Sequence, residues 1–401
     1  MRICRLPLVV LCAVALLVML GGCGKTPTQK EAAQLKWNQA RAGVLASLAK
    51  SEYEKGNFDK ARQTIIDAQK MDPDNVSLHI LSARVSIETG QLESADKELA
   101  LARTMDPKNA EAEYFAGIVC ERWQKPAQAY EYYTHACEKN PKEAAYLLAR
   151  VEMLVALNRT GEGVQLIKER MSDYEHNPAI YHTLGQLQAD LKHYPEAVES
   201  LRQAALLAPD DALVREHLAM AMYFNHQYRE AADMFSRLLK DPENTKRPEL
   251  YVALGECQLQ IGRADDARGS FETATSLNPG STTAWLSLAK TALQLGDTRR
   301  AEIVLKKVMS IDGSCGEAHL MMGYLRLRQS KLEDALSEFQ KSSALDREDP
   351  VSLCMIGYVL EKTGKPQQAV KYYSQALKIK PGDELATKLM ASVDVGGSGN
   401  D

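Results

Sequence analysis

The sequence predicts an all-α protein, a solenoid of about ten helix-turn-helix repeats, and three observations carry that reading. An alanine returns every 34 residues, at Ala61, Ala95, Ala129, Ala197 and Ala231 and, after a two-residue slip, at Ala267, Ala301, Ala335 and Ala369; Gly163 fills the one vacancy. Twelve residues ahead of each stands another small residue, in Ala49, Ala83, Gly117, Gly185, Ala219, Gly255, Ala289, Gly323 and Gly357, with Val151 the exception. Four residues behind each stands a large apolar one: Ile65, Leu99, Tyr133, Ile167, Leu201, Phe235, Phe271, Leu305, Phe339 and Tyr373. A fixed period of this length marks a repeat array, in which each repeat buries its apolar face only against its neighbours.

With the recurring alanine numbered as position twenty, the small residues at eight and twenty let two antiparallel helices approach closely. The bulky residue at twenty-four fills the space beside that contact. Proline at position 32 ends the second helix at Pro73, Pro107, Pro141, Pro209, Pro279 and Pro381, because it has no amide hydrogen and clashes with the preceding turn. Glycine turns separate the helices at Gly56, Gly90, Gly262, Gly296 and Gly364.

In chain order, residues 1–22 join Arg2 and Arg5 to an apolar run over 6–20 and read as a leader. Residues 23–41 lead into the first repeat as an extension of its first helix, with Thr28 as the cap. Ten repeats fill 42–383: 42–75, 76–109, 110–143, 144–177, 178–211, 212–245, 248–281, 282–315, 316–349 and 350–383. Repeat four has Gly163 and Arg170 where alanine and an apolar residue are usual, and no closing proline, which predicts a weaker joint. Lys246 and Arg247 are the two extra residues between repeats six and seven and are expected to change the local superhelical angle. Residues 384–394 are expected to form a capping helix, because a terminal repeat needs a polar outer face, and 395–401 a disordered glycine-serine tail.

This pattern resembles the tetratricopeptide repeat (TPR) family, whose unit is a 34-residue helix-turn-helix. The resemblance implies a right-handed superhelix in which the first helix of each repeat lines an inner groove through positions two, five, nine, twelve and thirteen. Those positions hold an apolar and aromatic series, among them Ile80, Ile87, Tyr114, Ile118, Met220, Tyr223, Phe224, Leu259, Leu286, Tyr324 and Tyr358, interleaved with charges. The partner-binding residues are expected to be Tyr114, Ile118, Met220, Tyr223, Phe224, Leu259, Tyr324 and Tyr358, with Met220, Tyr223 and Phe224 the densest cluster. Such a lining suits an extended peptide or an amphipathic helix. Position nine, from Lys50 and Arg84 to Tyr324 and Tyr358, does not reproduce on three consecutive repeats the carboxylate clamp of the family's chaperone-binding members.

The segment Leu20-Gly21-Gly22-Cys23 resembles the cleavage and lipidation site of a bacterial lipoprotein signal peptide. That resemblance implies cleavage before Cys23 and acylation of its thiol and new amino group, and several acyl chains, palmitate among them, make a durable anchor. Gly24, where aspartate would favour inner-membrane retention, points to the outer membrane with the repeats facing the periplasm. The apolar run is too short for a comfortable transmembrane helix.

Other chemistries find little foothold. Gly24-Lys25-Thr26 mimics the end of a phosphate-binding loop, but Met19 stands where that loop needs its first glycine. Cys120, Cys137, Cys257, Cys315 and Cys354 form no Cys-x-x-Cys pair, so no metal site is expected; Cys120 and Cys137, on the two helices of one repeat, could pair in an oxidising compartment. His182, His193, His217 and His226 form no metal-binding or nucleophile motif and read as solvated or half-buried helix residues. The formal net charge of −4 gives no reason to expect nucleic acid. No cofactor or catalytic residue is expected. Two functions follow: a membrane-tethered scaffold or adaptor in an envelope assembly such as pilus biogenesis, polysaccharide export or outer-membrane assembly, or a noncatalytic regulatory accessory of a periplasmic cell-wall enzyme.

Overall fold

A computed structural model describes residues 28–393; Cys23, the leader and the tail from 394 onward lie outside the described residues. Among the described residues there are 21 α-helices and no strand, and the first twenty pair in chain order as ten hairpins. These are α1 (Gln29–Glu54) with α2 (Phe58–Met71), α3 (Val76–Glu88) with α4 (Leu92–Met105), α5 (Ala110–Arg122) with α6 (Pro126–Lys139), and α7 (Ala144–Ala156) with α8 (Thr160–Arg170). There follow α9 (Pro178–Asp190) with α10 (Tyr194–Leu207), α11 (Ala212–Phe224) with α12 (Tyr228–Leu238), and α13 (Pro248–Gln260) with α14 (Ala264–Leu277). The last are α15 (Thr282–Gln294) with α16 (Thr298–Ile311), α17 (Gly316–Arg328) with α18 (Leu332–Leu345), and α19 (Pro350–Lys362) with α20 (Pro366–Ile379), before a single helix α21 (Glu384–Ser392).

Two local devices recur along the hairpins. The residue at position 34 caps the next first helix: Asn75, Asn109, Asn177, Asp211, Ser281, Asp349 and Asp383 each accept a hydrogen bond from a first-turn amide, satisfying donors that have no partner inside the helix. At the N-terminal end, Thr28 and Glu31 form a reciprocal capping box on α1. Position fifteen turns the chain through left-handed backbone in every hairpin, at Gly56, Gly90, Gly262, Gly296 and Gly364 and equally at Gln124, Asn158, Lys192, His226 and Ser330, with φ between 58° and 78°. A side chain there crowds the following carbonyl, a strain glycine escapes. Ser330→Gly, at an exposed turn, is therefore expected to stabilise by about 0.5–1 kcal/mol; an unfolding midpoint that stays or falls would mean that this turn carries no strain.

The chain divides into two compact units, residues up to Tyr174 and residues from Glu175. Each buries the small residues of positions eight and twenty beneath the bulky residue at twenty-four, and Ile65, Leu99, Tyr133, Ile167, Leu201, Phe235, Phe271, Leu305, Phe339 and Tyr373 are all essentially inaccessible. Neighbouring hairpins meet where position 27 of one second helix, such as Ala68 or Ala102, packs on position three of the next first helix, Leu78 or Ala112.

Arg170 occupies position 27 of repeat four and is partly exposed. Its guanidinium bonds Asp173 and the Pro141 carbonyl, while Tyr174 donates its hydroxyl to that carbonyl at 2.6 Å. The boundary between the compact units falls directly after it. At the two-residue slip, α12 ends early and buried Asn244 donates to the Leu238 carbonyl. Arg247 grips both carboxylate oxygens of Glu216 at 2.7 and 2.8 Å and also bonds Glu249. A planar, two-toothed guanidinium contact fixes the entry of α13 better than a single donor would.

Candidate functional site

Met220 and Phe224 lie one turn apart on α11, the first helix of repeat six, and help to line a hollow of about 410 Å³. Ala189, Asp190 and Gln186 come from α9, Lys192 and Tyr194 from the turn and second helix of repeat five, and His217 completes the wall from α11. Both repeats belong to the same compact unit. Phe224 is 44% exposed, although a phenyl ring usually seeks burial. Tyr194 stacks on it with centroids 5.2 Å apart, and Tyr223 meets its edge at the same distance. Tyr223 also packs edge-on against Tyr228 and donates its hydroxyl to Glu256 at 2.9 Å. Burial and that carboxylate push its phenol well above the ordinary value, so it stays a donor at any physiological pH.

His217, in the polar wall of the hollow, pairs with His182. His182 and His217 stack with their planes 16° apart, and His182 Nε2 lies 2.7 Å from His217 Nδ1. Gln186 places its amide Nε2 at 3.1 Å from the same Nδ1. Burial pushes His182 below its ordinary value and the neighbouring His217 adds to the shift, both favouring the uncharged ring of His182. The hollow thus offers an apolar aromatic floor with a few fixed polar groups, the composition of a ligand site.

The other expected groove residues do not join this hollow. Tyr114 is half-buried among Phe115, Tyr133 and Tyr146, and Ile118 packs beside it. Leu259 leans on the core of repeats seven and eight. Tyr324 sets its ring edge against Phe339, and Tyr358, with Lys362 over its face, joins the cluster that runs from α17 to α20. Ile80, Ile87 and Leu286 are 3%, 8% and 9% exposed; they are packing residues, because a first helix is crowded by its own hairpin and by both neighbours.

Sequence reasoning missed Tyr194, Tyr228, His182 and His217 as members of the site. The tyrosines share position seventeen in successive repeats, and the histidines are 35 residues apart, one more than the period. Residues one period apart stack on adjacent helices, so these spacings were the available signal. His182 and His217 are half-buried, as expected, whereas two other histidines are fixed by carboxylates. His79 is buried between Glu98, 2.6 Å from Nδ1, and the Pro73 carbonyl, 2.8 Å from Nε2, and His319 meets Glu338 at 2.6 Å in the same repeat positions. Cys120 and Cys137 are buried free thiols, pushed up by burial.

A second hollow, about 280 Å³, lies in the other compact unit between Lys50 and Arg84, with Glu111 in its wall. Arg84 is held between the rings of Tyr53 and Phe115 and only loosely paired with Glu111 at 3.7 Å. Among the described residues no cluster of His, Cys, Asp and Glu could hold a metal ion, and no helix is long and apolar enough to cross a membrane.

Comparison with known proteins agrees with the helical repeat. Family models described as tetratricopeptide repeat match residues 52–116 and 262–325, 178–211 and 351–383, and 218–281, between them more than half of the chain. The protein CTR9 homolog of Arabidopsis thaliana is 21% identical over 415 residues, covering 90% of this chain and 36% of that protein. Tetratricopeptide repeat protein 21A of Mus musculus is 23% identical over 283 residues, 64% of this chain and 21% of that protein. The chain therefore spans little more than a third of the first of these relatives and less of the second. Among solved structures, yeast Tom70 is similar with a TM-score of 0.47 and 13% identity over 88% of each chain. YrrB, described as a TPR protein with an unusual peptide-binding site, gives 0.43 and 19% over 47% of this chain and 96% of its own. On the matched repeats and the helical hairpins that fill them, the chain belongs to the tetratricopeptide repeat family.

Proposed function

We propose that this protein is a noncatalytic scaffold that captures a partner protein through the hollow between repeats five and six. Tetratricopeptide repeats generally mediate protein–protein interactions. The observation that carries the reading here is the exposed Phe224 ring, stacked by Tyr194 and bordered by Met220 and the His217–Gln186 polar wall. Exposed, well-supported aromatic residues beside fixed polar groups are the anchors of binding surfaces. The occupant is an extended or helical peptide segment that inserts an apolar side chain against Phe224 and Met220 and hydrogen-bonds the polar wall with its backbone.

The lipobox-like Leu20-Gly21-Gly22-Cys23 supports a second element of the proposal: acylation at Cys23 tethers the scaffold to a membrane, the outer membrane of a bacterial envelope, with the repeats facing the periplasm. The scaffold then holds components of an envelope assembly such as a pilus, polysaccharide-export or outer-membrane assembly machine.

A photo-reactive residue at position 224, activated in intact envelopes and followed by mass spectrometry, is expected to trap a specific envelope protein. Phe224→Asp is expected to lower retention of that protein at least about tenfold, with helical circular dichroism and melting unchanged. If the probe at 224 traps nothing beyond what the same probe traps at exposed Leu345, the binding role of this hollow is wrong.

A further inference from the structure

Position three of the first helix is covered in every repeat but one. Leu78, Ala112, Tyr146, Ile180, Val214, Leu250, Ala284, Ala318 and Ser352 are between 0% and 9% exposed, whereas Val44, their counterpart on α1, is 71% exposed. Position seven repeats the contrast: Leu184, Leu218, Leu254, Leu288, Met322 and Ile356 are buried, while Leu48 is 49% exposed. One turn before Ala40–Arg41, Trp37 lies on the same side of α1 and is 60% exposed. Trp37, Val44 and Leu48, spaced by seven and four residues, form one stripe, flanked by the small residues Ala33, Ala40, Ser47 and Ser51. In the inner repeats the helix that covers this place is the second helix of the repeat before.

The opposite end of the array offers no cover to a second copy. There α21 takes the place of an eleventh first helix: Ala386, at position three, is fully buried against Ala376 of α20. Head-to-tail stacking of copies is therefore blocked, and a symmetric contact is what remains for self-association. The stripe is self-complementary in one orientation. In an antiparallel pair of α1 helices with the two-fold axis level with residues 41–43, Trp37 faces Ser47 of the second copy and Ala40 faces its Val44, large against small, while the small residues Ala33 and Ser51 meet beyond them. Lys30 comes level with Glu54 of the second copy. The charges follow the same orientation: the first half of α1 carries Lys30, Lys36 and Arg41 against Glu31, and the second half carries Glu52 and Glu54 against Lys50. Opposed helix dipoles favour it as well.

We infer that the protein forms a symmetric homodimer through the Trp37–Val44–Leu48 face of α1. Sedimentation of the purified full chain in detergent, across micromolar concentrations, is expected to give a dimer, and Trp37→Glu with Val44→Glu a monomer of unchanged melting temperature. Arg41→Cys places a thiol beside the two-fold axis and is expected to form a disulfide-linked dimer on mild oxidation that the wild-type chain and Lys30→Cys do not form; it reads the pairing even if the double variant misfolds. A wild-type monomer at all concentrations, or equal cross-linking through Lys30→Cys, overturns the inference. So does a monomer that binds vesicles of anionic phospholipid through Trp37, which would assign the face to a bilayer. Loss of the dimer leaves trapping at position 224 intact, so the two proposals fail separately.

Discussion

Gly323→Ala destabilises repeat nine by about 2–3 kcal/mol, the cost of overpacking a closed core. A Cβ built on Gly323 would stand 2.4 Å from Cε1 of Phe339 and within 2.8 Å of two more ring atoms. The ring has nowhere to go: it is fully buried, and the edge of Tyr324 closes one side at a centroid distance of 5.5 Å. Other repeats solve the same contact with a different pair. Where position eight is alanine, position twenty-four is usually aliphatic, as in Ala49 with Ile65, Ala83 with Leu99 and Ala289 with Leu305; where it is glycine, three of the other four partners are rings, Tyr133, Phe271 and Tyr373. The exceptions are Gly185 with Leu201 and Ala219 with Phe235. Phe339→Leu placed on Gly323→Ala therefore recovers most of the loss, although Phe339→Leu alone leaves a void. Hydrogen exchange of the amides of α17 and α18, which reads one repeat rather than the whole array, measures both. Equal protection in Gly323→Ala and wild type would show that the helices separate at no cost, against the close-approach account.

Glu113→Ala costs about 2–4 kcal/mol, because it leaves two cations in a place built for an anion. Glu113, on α5, has a side chain only 10% exposed and accepts from Lys139 Nζ at 2.6 Å, while Arg103 Nη1 lies 3.7 Å away. The two cations are themselves about a fifth exposed, and Arg103 is pinned over the ring of Tyr132 at 4.7 Å. They cannot swing fully into water without uncovering that packing. Glu113→Gln keeps an acceptor oxygen for Lys139 and loses less. Urea unfolding of the three chains orders them wild type, Gln, Ala; a Gln variant as weak as the Ala variant would mean that charge, and not the hydrogen bond, is the whole effect.

Much of the fold was legible because each demand recurs. A small residue at position eight, another at twenty and a bulky one at twenty-four state the hairpin contact ten times over, and the turn glycines mark position fifteen in half the repeats. Gln124, Asn158, Lys192, His226 and Ser330 hide the same left-handed turn behind ordinary side chains, since tertiary packing holds a conformation that local preference resists. The cap at position 34 was legible too, in Asn75, Asn109 and Asn177, but its short polar side chains look like common loop residues until the bond to the next helix is seen.

The candidate site was legible only in part. Met220, Tyr223 and Phe224 stand together in sequence and stay together in space. Tyr114, Ile118, Leu259, Tyr324 and Tyr358 also occupy groove positions and lean on the cores of their own neighbourhoods, as Met220 and Tyr223 do, but they lie outside this hollow. Equivalent positions are not equivalent environments, since the accessibility of a first-helix residue depends on the bulk that the adjoining hairpins bring to it.

By itself the sequence determined the period, the helical hairpins and the residue types at their contacts, because those are short-range demands of helix geometry renewed every 34 residues. Only the tertiary structure decided that Tyr194 would support Phe224, that His182 would pair with His217, and that Val44 would be left bare where nine counterparts are covered. Those outcomes depend on which side chains neighbouring helices bring into contact across the stack, and a one-dimensional period carries the spacing of the helices but not the volumes that meet between them.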